Sequence, residues 1–245
     1  MDSGYYAACA GLAAQVQALE LIANNLSNLG TAGYRGQQAT FRSILASRGD
    51  PQSPVNNAIN NFGILGGSTV DLESGSLTAT GNPLDLAVAG KGFFVVQSDS
   101  GGRLYTRNGG LHRATDGTLV NSEGDPVLGE LGRVQLPNGV ISVSGDGTIS
   151  VDGAVAAKLH IAEFAPNTEL QPAGKALYAA PPDSELPPVS SSVRQGMLEQ
   201  SNVSEVTGLV QLISVQRNAE MMQRALSLFD TQLNQTAAQD LPRVQ

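Results

Sequence analysis

The sequence changes character within the stretch Ile22-Ala23-Asn24-Asn25-Leu26-Ser27-Asn28-Leu29-Gly30-Thr31-Ala32-Gly33-Tyr34-Arg35. From Tyr5 to Leu26, apolar side chains recur at alternating spacings of four and three residues, which places them along one seam of a helix. Gly30 and Gly33 favour the end of that helix, because glycine readily adopts a positive φ. The seam consists of Tyr5, Cys9, Leu12, Val16, Leu19, Ala23 and Leu26.

Three asparagines lie beside this seam. A side-chain amide both donates and accepts hydrogen bonds, so it can bond backbone or side-chain groups that pack against the helix. We therefore predict that the helix is an assembly surface and not a solvated face. The predicted interface residues on it are Leu12, Val16, Leu19, Asn24, Asn25, Leu26 and Asn28.

The C-terminal segment carries a matching pattern. Its apolar residues again follow one another at spacings of three and four, and a second, rotated stripe lies just upstream. Ser201 or Asn202 is expected to cap the start of this helix, with Glu205 completing a capping box. The first stripe consists of Leu212, Val215, Ala219, Met222, Leu226, Phe229 and Leu233, of which all but Ala219 join the predicted interface, and the second of Val206, Val210 and Ile213.

Neither helix can bury its stripe alone. Charged residues are sparse along both, whereas a solvated helix normally presents a charged face. The two helices are therefore predicted to pair as a coiled coil, with each other and with neighbouring copies.

The middle of the chain has the pattern of strands and turns. Eleven of the 12 prolines lie between Pro51 and Pro188. Residues 84–88 alternate apolar and polar side chains with period two, and the apolar run 93–96 follows. Asp-Gly pairs at 116–117 and 146–147 lie between apolar runs, where they favour hairpin turns. The predicted fold is α+β, with two long terminal helices that flank a mainly antiparallel β domain.

The same boundaries predict three regions. Residues 1–45 and 196–245 form a terminal helical assembly domain, residues 46–80 an extended connector rich in Asn, Gly, Pro and Ser, and residues 81–195 a β-rich outer domain.

Composition argues against several classes of function. The net charge is −8 and the 14 Lys and Arg are scattered, so a nucleic-acid partner is not expected. His112, His160 and Cys9 do not form a zinc-ligand pattern. No nucleophile elbow or phosphate-binding loop is present, so we predict no catalytic site, cofactor, metal or small-molecule substrate. The first residues lack the basic and apolar regions of a cleaved secretory signal.

The opening stretch is specific enough to name a resemblance. Residues 22–35 resemble the pattern A-N-N-[LI]-[AS]-N, a short gap and T-x-G-[YF]-[KR], which is typical of flagellar rod and hook proteins. Residues 81–96, GNPLDLAVAGKGFFVV, resemble the next landmark of that family, G-x-x-L-D-[LV]-A-[IV]-x-G-x-G-F-F-x-[VI]. The two landmarks occur in the family's order.

Further landmarks follow along the chain. Residues 105–109, YTRNG, and 116–120, DGTLV, are similar to the family's Y-T-R-x-G and D-G-x-L-V elements. Residues 196–203, GMLEQSNV, and 216–220, QRNAE, resemble G-x-L-E-x-S-N-V and Q-R-x-[YF]-E, with Ala219 in place of the usual aromatic. Within these elements, Asp85 and Arg107 are expected to pair across two strands, and Phe93 and Phe94 to point to opposite faces of one strand.

This resemblance implies a function. Members of the family form the basal-body axis, with terminal helices as an inner coiled-coil tube around the export channel and β domains as an outer layer. It implies a structural, non-enzymatic subunit, exported by the flagellar type III apparatus without a cleaved signal peptide and built into the periplasmic rod. Its partners would be copies of itself and other rod and hook proteins. Chain length and the single β domain favour a rod protein over the hook protein, and of the rod proteins we expect the proximal one.

Two alternatives remain open at this point. A hook-like paralogue that has lost its outer domains would carry the same landmarks. A secreted β-rich adhesin or enzyme with helical ends would instead require a convergent polar pocket in the β domain.

Overall fold

The protein is described by a computed structural model, which covers residues 2–42, 64–98, 100–166 and 168–240. Among these described residues, two helices, α1 over Asp2–Ser27 and α2 over Glu205–Asp240, come before and after 19 strands in chain order. The strands are β1 Gln37–Arg42, β2 Ile64–Val70, β3 Leu77–Ala79, β4 Leu86–Ala89, β5 Phe93–Gln97, β6 Arg103–Thr106, β7 His112–Arg113, β8 Leu119–Val120, β9 Leu128–Gly129, β10 Gly132–Arg133, β11 Ile141–Val143, β12 Thr148–Val151, β13 Ala154–Lys158, β14 Ile161–Phe164, β15 Gln171–Gly174, β16 Leu177–Ala179, β17 Glu185–Leu186, β18 Ser192–Gln195 and β19 Met197–Glu199.

The end of α1 lies where the glycines predict it. The helix stops at Ser27, and the backbone N–H of Thr31 donates to the carbonyl of Asn28 in the turn that follows. Gly33 has a φ of 67°, in the left-handed region that favours glycine. Gly30 does not take up that conformation, so in the turn after α1 the residue that requires glycine is Gly33.

The chain divides into two compact units. We call the first the helical unit; it contains the described residues within Met1–Leu26, Gln37–Ser68 and Glu205–Gln245. The second, the β unit, contains those within Ser27–Gly36 and Thr69–Ser204. The predicted α+β class, with mostly antiparallel pairing, is confirmed.

The centre of the β unit is a six-stranded sheet in the order β15-β16-β6-β5-β14-β17. Strand β5 lies inside it and alternates between two apolar clusters, as the predicted opposite orientation of Phe93 and Phe94 requires. Phe94 packs in a cluster with Leu86 and Leu119, whereas Phe93 lies edge-on to Phe164, with ring centroids 5.7 Å apart. Apolar residues cover both faces of β5, which explains the run FFVV.

Both predicted Asp-Gly hairpins are confirmed. Gly117 lies in the turn between β7 and β8 with a φ of 88°, and Gly147 in the turn between β11 and β12 with a φ of 85°. Backbone and hydroxyl hydrogen bonds from Thr118 lower the pKa of Asp116, with Asp116 Oδ2 2.8 Å from the Thr118 hydroxyl. The Asp side chain thus fixes each turn through the threonine two residues ahead.

Within the part of the chain that the structure describes, neither helix combines the length and apolarity that a membrane-spanning helix needs.

Candidate functional site

The first candidate surface lies on α1. Its covered face is made of small residues, with Gly11, Ala14 and Ala18 all buried. On the opposite face Val16 is 44% exposed, and Ala23 is exposed too. The predicted seam therefore runs along the flank of α1, and part of it remains open. Leu12, Leu19 and Leu26 on that seam are half-buried.

The two helices meet at one defined contact. A Cβ built on Gly208, in the first turns of α2, would lie 2.8 Å from Cδ2 of Leu26 at the end of α1. That distance is shorter than van der Waals contact, so the glycine makes room for the leucine. This contact joins the end of one predicted interface helix to the start of the other.

Helix α2 has two apolar stripes on opposite faces. The predicted stripe is the covered one: Ala219 is buried, and Leu212, Val215, Met222 and Leu226 are half-buried. The side chains of Phe229 and Leu233 lie outside the described residues. The other stripe, here called the outer stripe, is open to solvent. It consists of Val206 (73% exposed), Val210 (59%), Ile213 (49%), Met221 (60%) and Leu228 (65%).

The three asparagines have different surroundings. Asn25 bonds the backbone of Gln37 in the manner of a paired strand residue, donating to its carbonyl and accepting from its N–H, both at 2.8 Å. Asn28 accepts from the Thr31 hydroxyl at 3.1 Å in the turn after α1. Asn24 is exposed. Asn25 and Asn28 therefore stabilise the chain's own turn.

The second candidate site is a buried ionic cluster in the β unit, here called the triad. Nη2 of Arg35 lies 2.7 Å from Oε1 of Glu199, and Nη1 of Arg107 lies 3.2 Å from its Oε2. All three side chains are at most 1% exposed. One carboxylate thus serves two guanidinium groups, and the cluster keeps a net positive charge.

Backbone carbonyls complete the surroundings of the triad. Arg107 also donates to Val88 O at 3.1 Å and to Gly90 O at 2.7 Å, and its guanidinium lies 4.7 Å from the centroid of the Phe93 ring. Arg35 donates to Glu73 O. Burial lowers the pKa of Arg107 to about 10, against the attraction of Glu199. The triad is therefore a desolvated site that a closely packed shell maintains.

The predicted pairing of Asp85 with Arg107 is wrong. Asp85 instead accepts from the side-chain amide of Asn82 at 2.9 Å, and its carbonyl accepts from the N–H of Gly196. The guanidinium of Arg107 extends to Glu199 on β19, which enters this region because β19 pairs with β3. Asp85 is buried too, but its carboxylate is held by Asn82, whereas Glu199 offers Arg107 a carboxylate within ion-pair distance.

Residues 22–35, the first of the landmark motifs, reach the triad through a close backbone contact at Gly33. A Cβ on Gly33 would lie 2.2 Å from the carbonyl carbon of Arg107, so only glycine allows this approach. Two residues later, the N–H of Arg35 donates to the Tyr178 hydroxyl at 2.8 Å. Burial raises the pKa of that phenol to about 12. The segment after α1 is thereby fixed to β6 and β16.

Asn202 has a different role from the predicted helix cap. Its Oδ1 accepts from the N–H of Gly36 at 2.7 Å, and its Nδ2 donates to the carbonyls of Asp71 and Glu73 at 3.2 and 3.0 Å. Helix α2 begins later, at Glu205. The amide therefore bridges two chain segments of the β unit, a long-range role that the local spacing to Glu205 could not indicate.

The β unit also contains an open cleft of about 680 Å³. Its polar lining converges on Glu185, which accepts from Arg103 at 3.1 Å and from the Tyr105 hydroxyl at 3.2 Å, and lies 2.5 Å from His160. Asp183 also lines this cleft. Among the described residues, no cluster of His, Cys, Asp and Glu has the makings of a metal site.

Three family profiles match the chain, in order. They are "Flagella basal body rod protein" over residues 6–35, "Flagellar hook protein FlgE/F/G D1 domain" over 87–157, and "Flagellar basal body rod FlgEFG protein C-terminal" over 194–239. Each matched segment contributes one member of the triad, namely Arg35, Arg107 and Glu199 in turn.

Individual relatives match over nearly the whole chain. The flagellar basal-body rod protein FlgG of Agrobacterium fabrum is 31% identical, over 91% of this chain and 94% of that protein. FlgF of Caulobacter vibrioides is 29% identical over 100% of both chains. FlgF of Salmonella typhimurium is 30% identical, over 94% of this chain and 95% of its own.

Proposed function

Because this chain belongs to the flagellar basal-body rod protein family, we propose that it polymerises through its terminal helices into the axial drive shaft around the export channel. Its role is that of a structural rod subunit. In the assembled rod, α1 and α2 pair as a coiled coil with each other and with neighbouring helices. The proposed assembly domain comprises residues 1–45 and 196–245.

The outer stripe of α2 carries this proposal. Five large apolar side chains, from 49% to 73% exposed, lie on one face of a helix whose opposite face is already covered. An exposed row of large apolar side chains, here interrupted by Arg217 and Arg224, marks an interaction site. Burying one such side chain is worth about 1.5–3 kcal/mol, so covering the stripe would supply a large favourable term for polymerisation.

The triad supports the same function from within the β unit. It fixes the segment that follows α1, through Arg35, and the segment that precedes α2, through Glu199. A shaft that transmits torque needs its helices to leave a rigid body at fixed points. The triad supplies that rigidity with ion pairs that solvent does not reach.

The remaining attributes follow from the family. We propose export through the flagellar type III apparatus without a cleaved signal peptide, and assembly in the periplasmic part of the basal body. The partners are other copies and other rod and hook proteins, and no cofactor, metal or catalytic turnover is involved. The proximal position within the rod stays a prediction.

A charge on the outer stripe tests the proposal. Ile213→Asp should block rod assembly and motility in cells that lack the wild-type copy, because an unpaired carboxylate in an apolar contact costs several kcal/mol. The matched control is Gln216→Asp, an exposed position on the same helix outside both stripes. Basal bodies with normal rods in the Ile213→Asp strain would contradict assembly through this face.

A further inference from the structure

Two outward helix faces carry opposite charges. Glu20 is the single charged residue between Ser3 and Tyr34, and it lies at the centre of the open face of α1, one turn after Val16 and three residues before Ala23. It is itself exposed. The open face of α1 mixes the small apolar residues Ala13, Val16 and Ala23 with polar ones, and Glu20 is its single charge.

The outer stripe of α2 is positive. Arg217 lies between Ile213 and Met221, four residues from each, and Arg224 lies between Met221 and Leu228. Both arginines are exposed, and within the described residues neither has an ion-pair partner within 4.0 Å. Glu220, the one carboxylate nearby, lies on the edge of the stripe and forms no such pair either.

We propose that the open face of α1 in one subunit packs against the outer stripe of α2 in the next copy of this chain, with Glu20 paired to Arg217 or Arg224. This inference rests on the proposed polymerisation through the helices and names the faces and the charges that set their register. The neighbouring copy is the occupant because its own α1 presents the complementary face.

Burial makes the pairing necessary. When the outer stripe is covered, Arg217 and Arg224 lose water, and an uncompensated buried charge is strongly unfavourable. Glu20 loses water in the same way on the other face. Pairing Glu20 with one arginine satisfies both members of that pair, and the other arginine lies within four residues of Glu220 on its own helix. Wrong registers leave Glu20 against an apolar side chain.

The geometry also suits an open polymer. Within one subunit, α1 and α2 contact each other through the Leu26–Gly208 side, so their open faces point away from that contact. A contact between two different surfaces of identical subunits is heterologous, and it continues along a filament instead of closing into a dimer. The α1-to-α2 contact therefore repeats along the rod.

Charge exchange in the full-length chain tests the pairing. Glu20→Arg and the reversal of its partner arginine, Arg217→Glu or Arg224→Glu, should each lower the yield of assembled rods roughly tenfold or more, since each places like charges across a desolvated contact. Combined with Glu20→Arg, either Arg217→Glu or Arg224→Glu should restore the yield, and the exchange that restores it identifies the register. Glu169→Arg, an exposed reversal in the β unit, should assemble normally.

The outcomes separate this inference from the proposed function. If both single variants assemble normally, or if neither exchange restores assembly, the pairing is overturned, while a block by Ile213→Asp would still support assembly through the outer stripe.

A cross-link provides a second readout. In a Cys9→Ser background, Glu20→Cys with Arg217→Cys or Arg224→Cys should form disulfide-linked multimers in assembled rods, and monomers alone for both pairs would also overturn the pairing.

Discussion

Arg35 and Glu199 are joined by a 2.7 Å ion pair, and solvent reaches neither side chain. The first lies just after α1 and the second just before α2, so the pair closes a loop that contains nearly all of the β unit. Arg107, directly after β6, shares the same carboxylate. The two ends of the domain are therefore connected through one acidic residue.

Removing that carboxylate should be highly destabilising. Glu199→Gln leaves two buried guanidinium groups without an anion, which should cost about 3–5 kcal/mol. Thermal or urea unfolding of the β unit measures the loss. The control is Glu130→Gln, whose partner Lys158 is 43% exposed at the side chain, so that pair should contribute little to stability. Equal losses for the two variants would contradict the triad's structural role.

Gly33 should be irreplaceable, whereas Gly30 should not. Gly33→Ala forces a side chain into a backbone with φ of 67° and places its Cβ 2.2 Å from Arg107, so we expect a loss of at least about 2 kcal/mol. Gly30→Ala meets nothing within 4 Å and should change stability little. Denaturant unfolding of both variants decides the matter; a Gly33→Ala protein as stable as Gly30→Ala would show that the chain can relax around this contact.

Local sequence patterns predict the helices and turns, but they do not predict the long-range contacts. The heptad spacing predicted both helices, and the Asp-Gly pairs predicted the turns at Gly117 and Gly147, because these depend on neighbours in sequence. Glu199 carries no local sign that it accepts from two arginines. Its partners are set by how β19 pairs with β3, a property of the folded domain.

The errors have the same origin. The landmark motifs favour a pair of Asp85 with Arg107, and the spacing of Asn202 and Glu205 favours a capping box, but neither contact forms. In the folded chain Asn202 bridges Gly36 to the segment before β3. A useful signal was present: Arg35, Arg107 and Glu199 are charged residues within motifs of a chain that has only 15% charged residues. Charges retained among apolar and glycine residues are candidates for a buried ion pair.

Alkaline pH should loosen the β unit through Tyr178. Burial raises the pKa of its phenol from 10.0 to about 12. Because the folded pKa is the higher one, this group's contribution is complete below the unfolded value near 10.0 and is lost as the pH rises toward 12. Ultraviolet absorbance of tyrosinate, recorded with circular dichroism, should show late-ionising tyrosines, because burial also raises the pKa of Tyr105, and Tyr178→Phe should remove one of these late steps. Ionisation of all five tyrosines together near pH 10, with the fold intact, would disprove this.

A substitution at the contact between Leu26 and Gly208 should affect rod assembly without affecting the stability of the β unit. Leu26→Asp replaces the side chain that fills the space at Gly208 with a carboxylate, so the helix contact should be lost and rod assembly with it. Thermal unfolding of the β unit should be almost unchanged, because Leu26 belongs to the helical unit. Asp116→Ala is the reciprocal control: it removes the hydrogen bonds to Thr118 in the turn, so it should lower the stability of the β unit more than it affects assembly. Electron microscopy of basal bodies and calorimetry of the purified chain measure the two effects. A Leu26→Asp protein that still builds rods would mean that the helix contact at Gly208 is not needed for polymerisation, and the outer stripe of α2 would then have to act without it.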